Sequence, residues 1–211
     1  MKIDSPKIPI DLPLRNFNDL FYEEYPELDM CAIHDAAFEN EVLHRVALSK
    51  MVIKNGRFTN TNFTNISMTD VHFESCDFSN ANMSSASIHR ATFHNCKLVG
   101  VDFTDSRFGH VQFEDSLLNL TAFGNSKLEK VIFQNDSLVS SDFYECLFKK
   151  IQFNGCNLNS SNFERTPLKG VDISTSTFES LILSLEDLRG CKVSSYQAIQ
   201  FAALLGLVIA D

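Results

Sequence analysis

The sequence predicts an all-β solenoid, a chain that turns a corner every five residues and coils about an apolar axis. The first observation behind it is a register. Every fifth residue from Leu28 to Val193 is apolar, through Ile33, Phe38, Leu43, Leu48, Ile53 and onward, giving 34 consecutive sites. With 44% apolar residues in the chain, chance would produce such a run roughly once in 10^12 trials. The second is aromatic placement: 16 of the 19 Phe residues lie on this register, leaving Phe17, Phe21 and Phe201. The third is that no regular element can bury such a series. Five residues turn an α-helix by about 500°, so the sites form no stripe, and on a flat strand residues i and i+5 face opposite ways. A corner every five residues resets which side faces inward.

The remaining positions fit this geometry. Residue i−2 is small, as in Ala36, Ala81, Ala86, Val101, Ser116 and Thr121, which suits a second inward site beside a large one. All six cysteines (31, 76, 96, 146, 156, 191) take that slot, so they are expected as small buried hydrophobes rather than disulfides or metal ligands. Asp136 takes it too, and a carboxylate there must find donors or stay protonated; a structural role is expected of it ahead of a functional one. Positions i−1, i+1 and i+2 are rich in Asn, Asp, Ser, Thr, Lys and Glu, as turns and solvated surface should be. A hexapeptide period would have pointed to the left-handed β-helix of acyltransferases; the period of five does not.

The unbroken register spans 28–193 as one domain. Residues 1–27 leave it and carry Pro6, Pro9 and Pro13; they are expected to cap the first coil, and they lack the apolar run of a signal peptide. Residues 194–211 change to helical grammar. Ser194 and Gln197 form a capping box ahead of YQAIQFAALL, Gly206 stops the helix, and LVIA follows as a short apolar strand. No stretch is long and apolar enough to span a membrane, so a soluble cytoplasmic protein is expected. The tail residues Ile199, Ala202, Ala203, Leu205, Leu207 and Ile209 offer either an intramolecular lid or, the reading preferred here, a homodimer interface about a two-fold axis.

The repeat, as in CDFSNANMSS (76–85) and CNLNSSNFER (156–165), resembles that of the pentapeptide-repeat family. The resemblance implies a right-handed quadrilateral β-helix with four pentapeptides per coil. Thirty-four repeats would then make about 8.5 coils and a solenoid about 40 Å long at strand spacing. The near full-length repeat, the short N-terminal segment and the tail KVSSYQAIQFAALLGLVIAD look most like the Qnr and MfpA group. That similarity implies an acidic, rod-shaped dimer imitating duplex DNA, with DNA gyrase or topoisomerase IV as partner and quinolone resistance as outcome. Many Qnr proteins carry loops that interrupt the coils; this chain has none, so it is closer to MfpA and to loop-less chromosomal relatives.

Net charge is −9, a field that attracts a DNA-binding groove and disfavours direct binding to DNA. Folded at a 20-residue period, the charge divides among four faces. One carries Glu41, Asp102, Asp105, Asp142, Glu145 and Glu164 against Arg45 and Arg165, net −4. The opposite face carries Asp35, Glu74, Glu114, Asp115 and Asp172 against Lys54 and Lys192, net −3. Between them a face with Lys50, Arg90, Arg107, Lys127, Lys130, Lys149, Lys150, Lys169 and Arg189 is net +3 after its six acids. The predicted partner-binding residues are Asp102, Asp105, Glu114, Asp115, Asp142, Glu145, Glu164 and Asp172. The fourth face shows Val99, Leu117, Leu120 and Val139 at outward positions, from either an apolar contact surface or a local bulge.

No nucleophile–base arrangement is apparent and the glycines form no phosphate loop, so neither an enzyme nor a cofactor is expected. The six histidines (34, 44, 72, 89, 94, 110) all fall at outward positions and form no ligand set, so no metal is expected. The alternative to a topoisomerase-binding protein is a generic repeat scaffold with another protein partner.

Overall fold

The computed structural model describes residues 1–22, 24–202 and 206–208. The chain opens with an extended segment and a 3-10 helix, Phe17–Tyr22. Two short strands follow, β1 (Glu27–Asp29) and β2 (Ala32–His34), and then six strands of eight residues. These are β3 (Ala47–Lys54), β4 (Ser67–Glu74), β5 (Ser87–His94), β6 (Arg107–Glu114), β7 (Lys127–Gln134) and β8 (Leu147–Asn154). Every pairing is parallel and offset by 20 residues, from Glu27↔Ala47 to Gln134↔Asn154. Isolated bridges from Ala37↔Arg57 keep that offset as far as Asp172↔Lys192. A helix, α1 (Ser195–Ala202), closes the described structure. The fold is a four-sided β-helix, regular for six coils and looser at its C-terminal end.

The corners explain the period. Every fifth residue from Met30 to Gly170 has positive φ, between 47° and 79°. An L-residue there costs roughly 1–2 kcal/mol, least for Asn, Asp and Gly, and Asn40, Asn55, Asn60, Asn65, Asn80, Asn95, Gly100 and Asp105 are such corners. Corner N–H groups reach carbonyls of the next coil, as where Asn60 N–H donates to Ser79 O (2.9 Å) and Asn80 N–H to Val99 O (2.9 Å). Corner side chains also form ladders, as in Asn80 Nδ2 to Asn60 Oδ1 and Asn60 Nδ2 to Asn40 Oδ1. Each long strand bends at such a corner and covers two sides of the coil. The sides are named by their sites: first (Phe58, Phe78), second (Phe103, Phe143), third (Leu48, Phe108) and fourth (Phe73, Phe93).

Inside, Phe73, Phe93, Phe113, Phe133 and Phe153 form one stack with centroids 4.8–5.1 Å apart. Opposite them Phe123, Phe143 and Phe163 stack at 4.8–5.0 Å. Both match strand spacing, and the two stacks meet edge to face, with Phe133 and Phe143 at 84°. Polar i−2 residues are satisfied across coils: Ser126 Oγ donates to Phe103 O (2.8 Å) and accepts from Ser106 N–H (2.9 Å). Cys146 takes the donor role, with Sγ 3.1 Å from Phe123 O. Burial pushes the Cys146 and Cys156 thiols up to about 12, as expected of inert packing thiols.

The N-terminal segment reaches beyond the first coil. Phe17 packs on Phe38, Phe58 and Phe63, but residues 1–14 run along the third–fourth corner. Leu14 bridges Ala32, Lys7 N–H donates to Asp70 Oδ1, Asp4 N–H meets His110 Nδ1, and Met1 N lies 3.2 Å from Gln152 Oε1. From Lys7 to Asp4 to Met1, three residues advance the chain by two coils. A proline-rich extended chain rises about 9.3 Å in three residues, and two coils span about 9.6 Å, so the strap and the solenoid run in step.

Candidate functional site

The eight predicted partner-binding acids fall into two groups on opposite sides of the rod. Asp102, Asp105, Asp142, Glu145 and Glu164 lie on the second side. Asp102 and Asp142 share a column two coils apart, linked through Ala122. Glu114 and Asp115 lie on the fourth side at its edge with the first, and Asp172 lies on the same side near its edge with the third. The geometry forms two acidic strips rather than one patch.

Several of these carboxylates are already engaged. Asp102 Oδ1 accepts Thr104 N–H (2.9 Å). Asp142 Oδ1 accepts Tyr144 N–H (3.1 Å) and Asn162 Nδ2 (2.9 Å). These are Asx turns, and they recur at other i−1 positions: Asn62 to Thr64, Asp77 to Ser79, Asn82 to Ser84, Asp172 to Ser174. A backbone role therefore accounts for Asp at these positions, and each keeps one oxygen outward. The signal in the sequence is Asn/Asp-x-Ser/Thr spaced by 20, at 62–64, 82–84 and 102–104, which turn composition alone does not single out.

Ion pairs thin the strips further. Glu145 pairs with Arg165 (2.7 Å), whose guanidinium holds its carboxyl below the ordinary range and lies 5.6 Å over the Tyr144 ring. Lys192 lies 2.6 Å from Asp172 and, with Ser174, holds its carboxyl down at about 2. Asp105 and Glu164 are exposed and carry no ion pair among those described. On the third side Arg90 is bidentate to Asp70 (2.6 and 2.7 Å) and Lys149 meets Glu129 (2.6 Å).

Asp136 is buried, as its slot requires. It accepts Ser116 N–H (2.8 Å) and Gln134 N–H (3.0 Å). Desolvation outweighs these bonds and pushes its carboxyl up to about 8, with Asp115 and Glu114 adding to the rise. On the first side Leu117 and Leu120 are 46% and 63% exposed, and Leu120 sits at a corner with φ 61°, an uncommon conformation for leucine. The strand offset holds through this region (Lys97↔Leu117↔Ser137), so the cluster is apolar surface and not a bulge.

At the C-terminal end the capping box forms: Ser194 N–H donates to Gln197 Oε1 (2.8 Å) and Gln197 N–H to Ser194 Oγ (3.2 Å). The buried Gln197 Nε2 then donates to Ile173 O (2.9 Å) and Ser176 O (2.8 Å), a role sequence reading had not assigned. Phe201 packs on Phe178 (5.3 Å). Ile199 and Leu207 are more than half exposed and Ala202 is half-buried. An apolar groove of about 290 Å³ is lined by Leu185, Leu188, Val193, Ala198 and Phe201. Ala203, Leu205 and Ile209 lie outside the described residues.

The comparisons with known proteins bear on this geometry. The family described as pentapeptide repeat region matches residues 66–143 and 86–163. Residues 66–163 are a pentapeptide-repeat region. No curated protein matches it in sequence. Among solved structures, the pentapeptide-repeat coil is similar to a trypsin-treated form of QnrB1, described as a plasmid-mediated fluoroquinolone resistance protein. The TM-score is 0.55 at 18% identity, covering 87% of this chain and 90% of that one. A second trypsin-treated QnrB1 gives 0.53 at 19% identity, covering 88% and 99%. At these identities the likeness is one of fold. No helix among the described residues is long and apolar enough to cross a membrane.

Proposed function

We propose that this protein binds the DNA-binding groove of a type II topoisomerase, DNA gyrase or topoisomerase IV, in place of duplex DNA, and thereby modulates quinolone action. The observation that carries the reading is an uninterrupted rod with acidic strips on two opposite sides, on the fold shared with a fluoroquinolone resistance protein. Magnitudes limit the mimicry. A charge of −9 over about 40 Å is one per about 4–5 Å, against one per about 1.7 Å for duplex DNA. Shape and a few placed carboxylates, with Asp105 and Glu164 foremost, must therefore carry recognition rather than uniform charge.

The C-terminal groove and the exposed Ile199 and Leu207 support a homodimer that would double the rod. Light scattering tests it: a monomer at working concentration removes the longer rod. A second reading, a scaffold for another protein, is favoured by Leu117 and Leu120 on the first side. The two readings part in a gyrase supercoiling assay titrated with the purified protein, with and without ciprofloxacin. Inhibition or drug protection at micromolar concentration supports the first; no effect up to tens of micromolar overturns it.

A further inference from the structure

One corner of the rod sets a histidine against two carboxylates of the fourth-side strip. His94 and Glu114 share a column on adjacent coils, and Asp115 is the corner residue beside Glu114, with φ 52°. Each offers one ligand atom, and the three atoms lie within 4.8 Å of one another. His94 Nδ1 is 3.5 Å from Glu114 Oε2. That nitrogen is shielded from solvent and makes no hydrogen bond, although the ring is 40% exposed. Such an unpaired buried nitrogen is unfavourable, and the Glu114 carboxylate stands beside it.

We propose that His94, Glu114 and Asp115 bind a divalent transition-metal ion, with Zn²⁺ the best match. Two ligand atoms on one tetrahedral zinc, each about 2.1 Å from it, stand about 3.4 Å apart, and the His94–Glu114 separation already has that value. One imidazole nitrogen with two carboxylate oxygens suits zinc better than magnesium, which prefers an all-oxygen shell. Asn135 Nδ2 donates to Asp115 Oδ1 (3.2 Å), which orients this carboxylate and leaves its other oxygen for the ion. Glu74, one coil earlier in the same column, is held by Lys54 at 2.6 Å and does not compete. Water completes the shell on the exposed side. This departs from the expectation that the outward histidines belong to no ligand set: the partners of His94 are carboxylates one coil away.

The repeat supplies variants that preserve the fold, because Asn154, Gln134 and Asn135 occupy the same columns as His94, Glu114 and Asp115. Isothermal titration of the full chain with ZnCl₂ should show one micromolar site. His94→Asn, Glu114→Gln and Asp115→Asn should each weaken it at least ten-fold, while His34→Asn leaves it unchanged. Circular dichroism of each variant should match the parent. Absence of a site tighter than millimolar, or a site that survives His94→Asn, overturns the proposal. The outcome is independent of topoisomerase binding.

Discussion

Asn80 and Ser180 occupy equivalent corners five coils apart, and only one is in the left-handed conformation. Asn80 N–H reaches Val99 O in the coil that follows. Ser180 and Leu185 have no such coil and their φ values are not positive, whereas Gly190, which also lacks one, keeps φ 78° because glycine adopts it freely. The apolar register runs on unbroken to Val193, so register alone does not make the corner. The corner is a nearest-neighbour property, stabilised by the next coil. Where that coil ends, side chains replace it. Asp187 accepts Arg165 N–H (3.3 Å) and Ser184 N–H (3.1 Å). In the regular coils a carbonyl accepts a backbone N–H from the next coil, as Cys156 O does from Thr177, and a site carbonyl accepts a hydroxyl, as Phe153 O does from Ser176. Gln197 supplies both donations with one amide.

The comparison can be broken most forcefully in the core. Phe143→Ala removes a fully buried ring stacked on Phe123 and Phe163 and should cost about 3–5 kcal/mol. Phe178→Ala, at the loose end and 8% exposed, should cost about half as much by the same scale. Equal losses in thermal unfolding would erase the distinction between middle and end. Next in size is Gln197→Ala, which leaves two carbonyls unpaired; about 2 kcal/mol lowers Tm by about 4–8 °C. An unchanged Tm would show that α1 does not act as the missing coil.

Asp136 tests the regular region by pH. Its folded pKa, about 8, lies above the ordinary aspartate value of 3.8. The folded state therefore holds a proton the unfolded state has lost, and stability falls as pH rises between these values. Asp136→Ser restores the slot's usual hydroxyl. Its Tm advantage should be small near pH 4, grow to several degrees by about pH 8 and level off above. A pH-independent difference would contradict the assignment. The smallest effect is expected at Leu120→Asn, which relieves a leucine corner and should stabilise by about 1 kcal/mol or less. If it abolishes binding to a captured partner while leaving gyrase unaffected, the scaffold reading gains.

The coil, its period, the inward Phe ladder and the capping box were legible because each repeats or has a fixed local spacing. The offset of 20 residues also made the opposed acidic strips legible. What escaped were relations between coils that no single repeat contains. The His94–Glu114 pair was hidden because histidines were compared only with histidines. Asp102 and Asp142 were read as surface charge, although Thr104 and Tyr144 two residues on marked them as turn acceptors. The strap was hidden because Pro6, Pro9 and Pro13 say that residues 1–14 are extended but not where they lie.

The most direct measurement is inhibition of gyrase supercoiling by the parent chain and by Asp102→Asn/Asp105→Asn/Asp142→Asn. Asn already fills these columns at Asn82, Asn125 and Asn162, so the Asx turns and the fold persist while three charges vanish. The acidic-strip account predicts at least a ten-fold rise in the concentration giving half effect, steeper at low salt. Equal potency of the two proteins would contradict it.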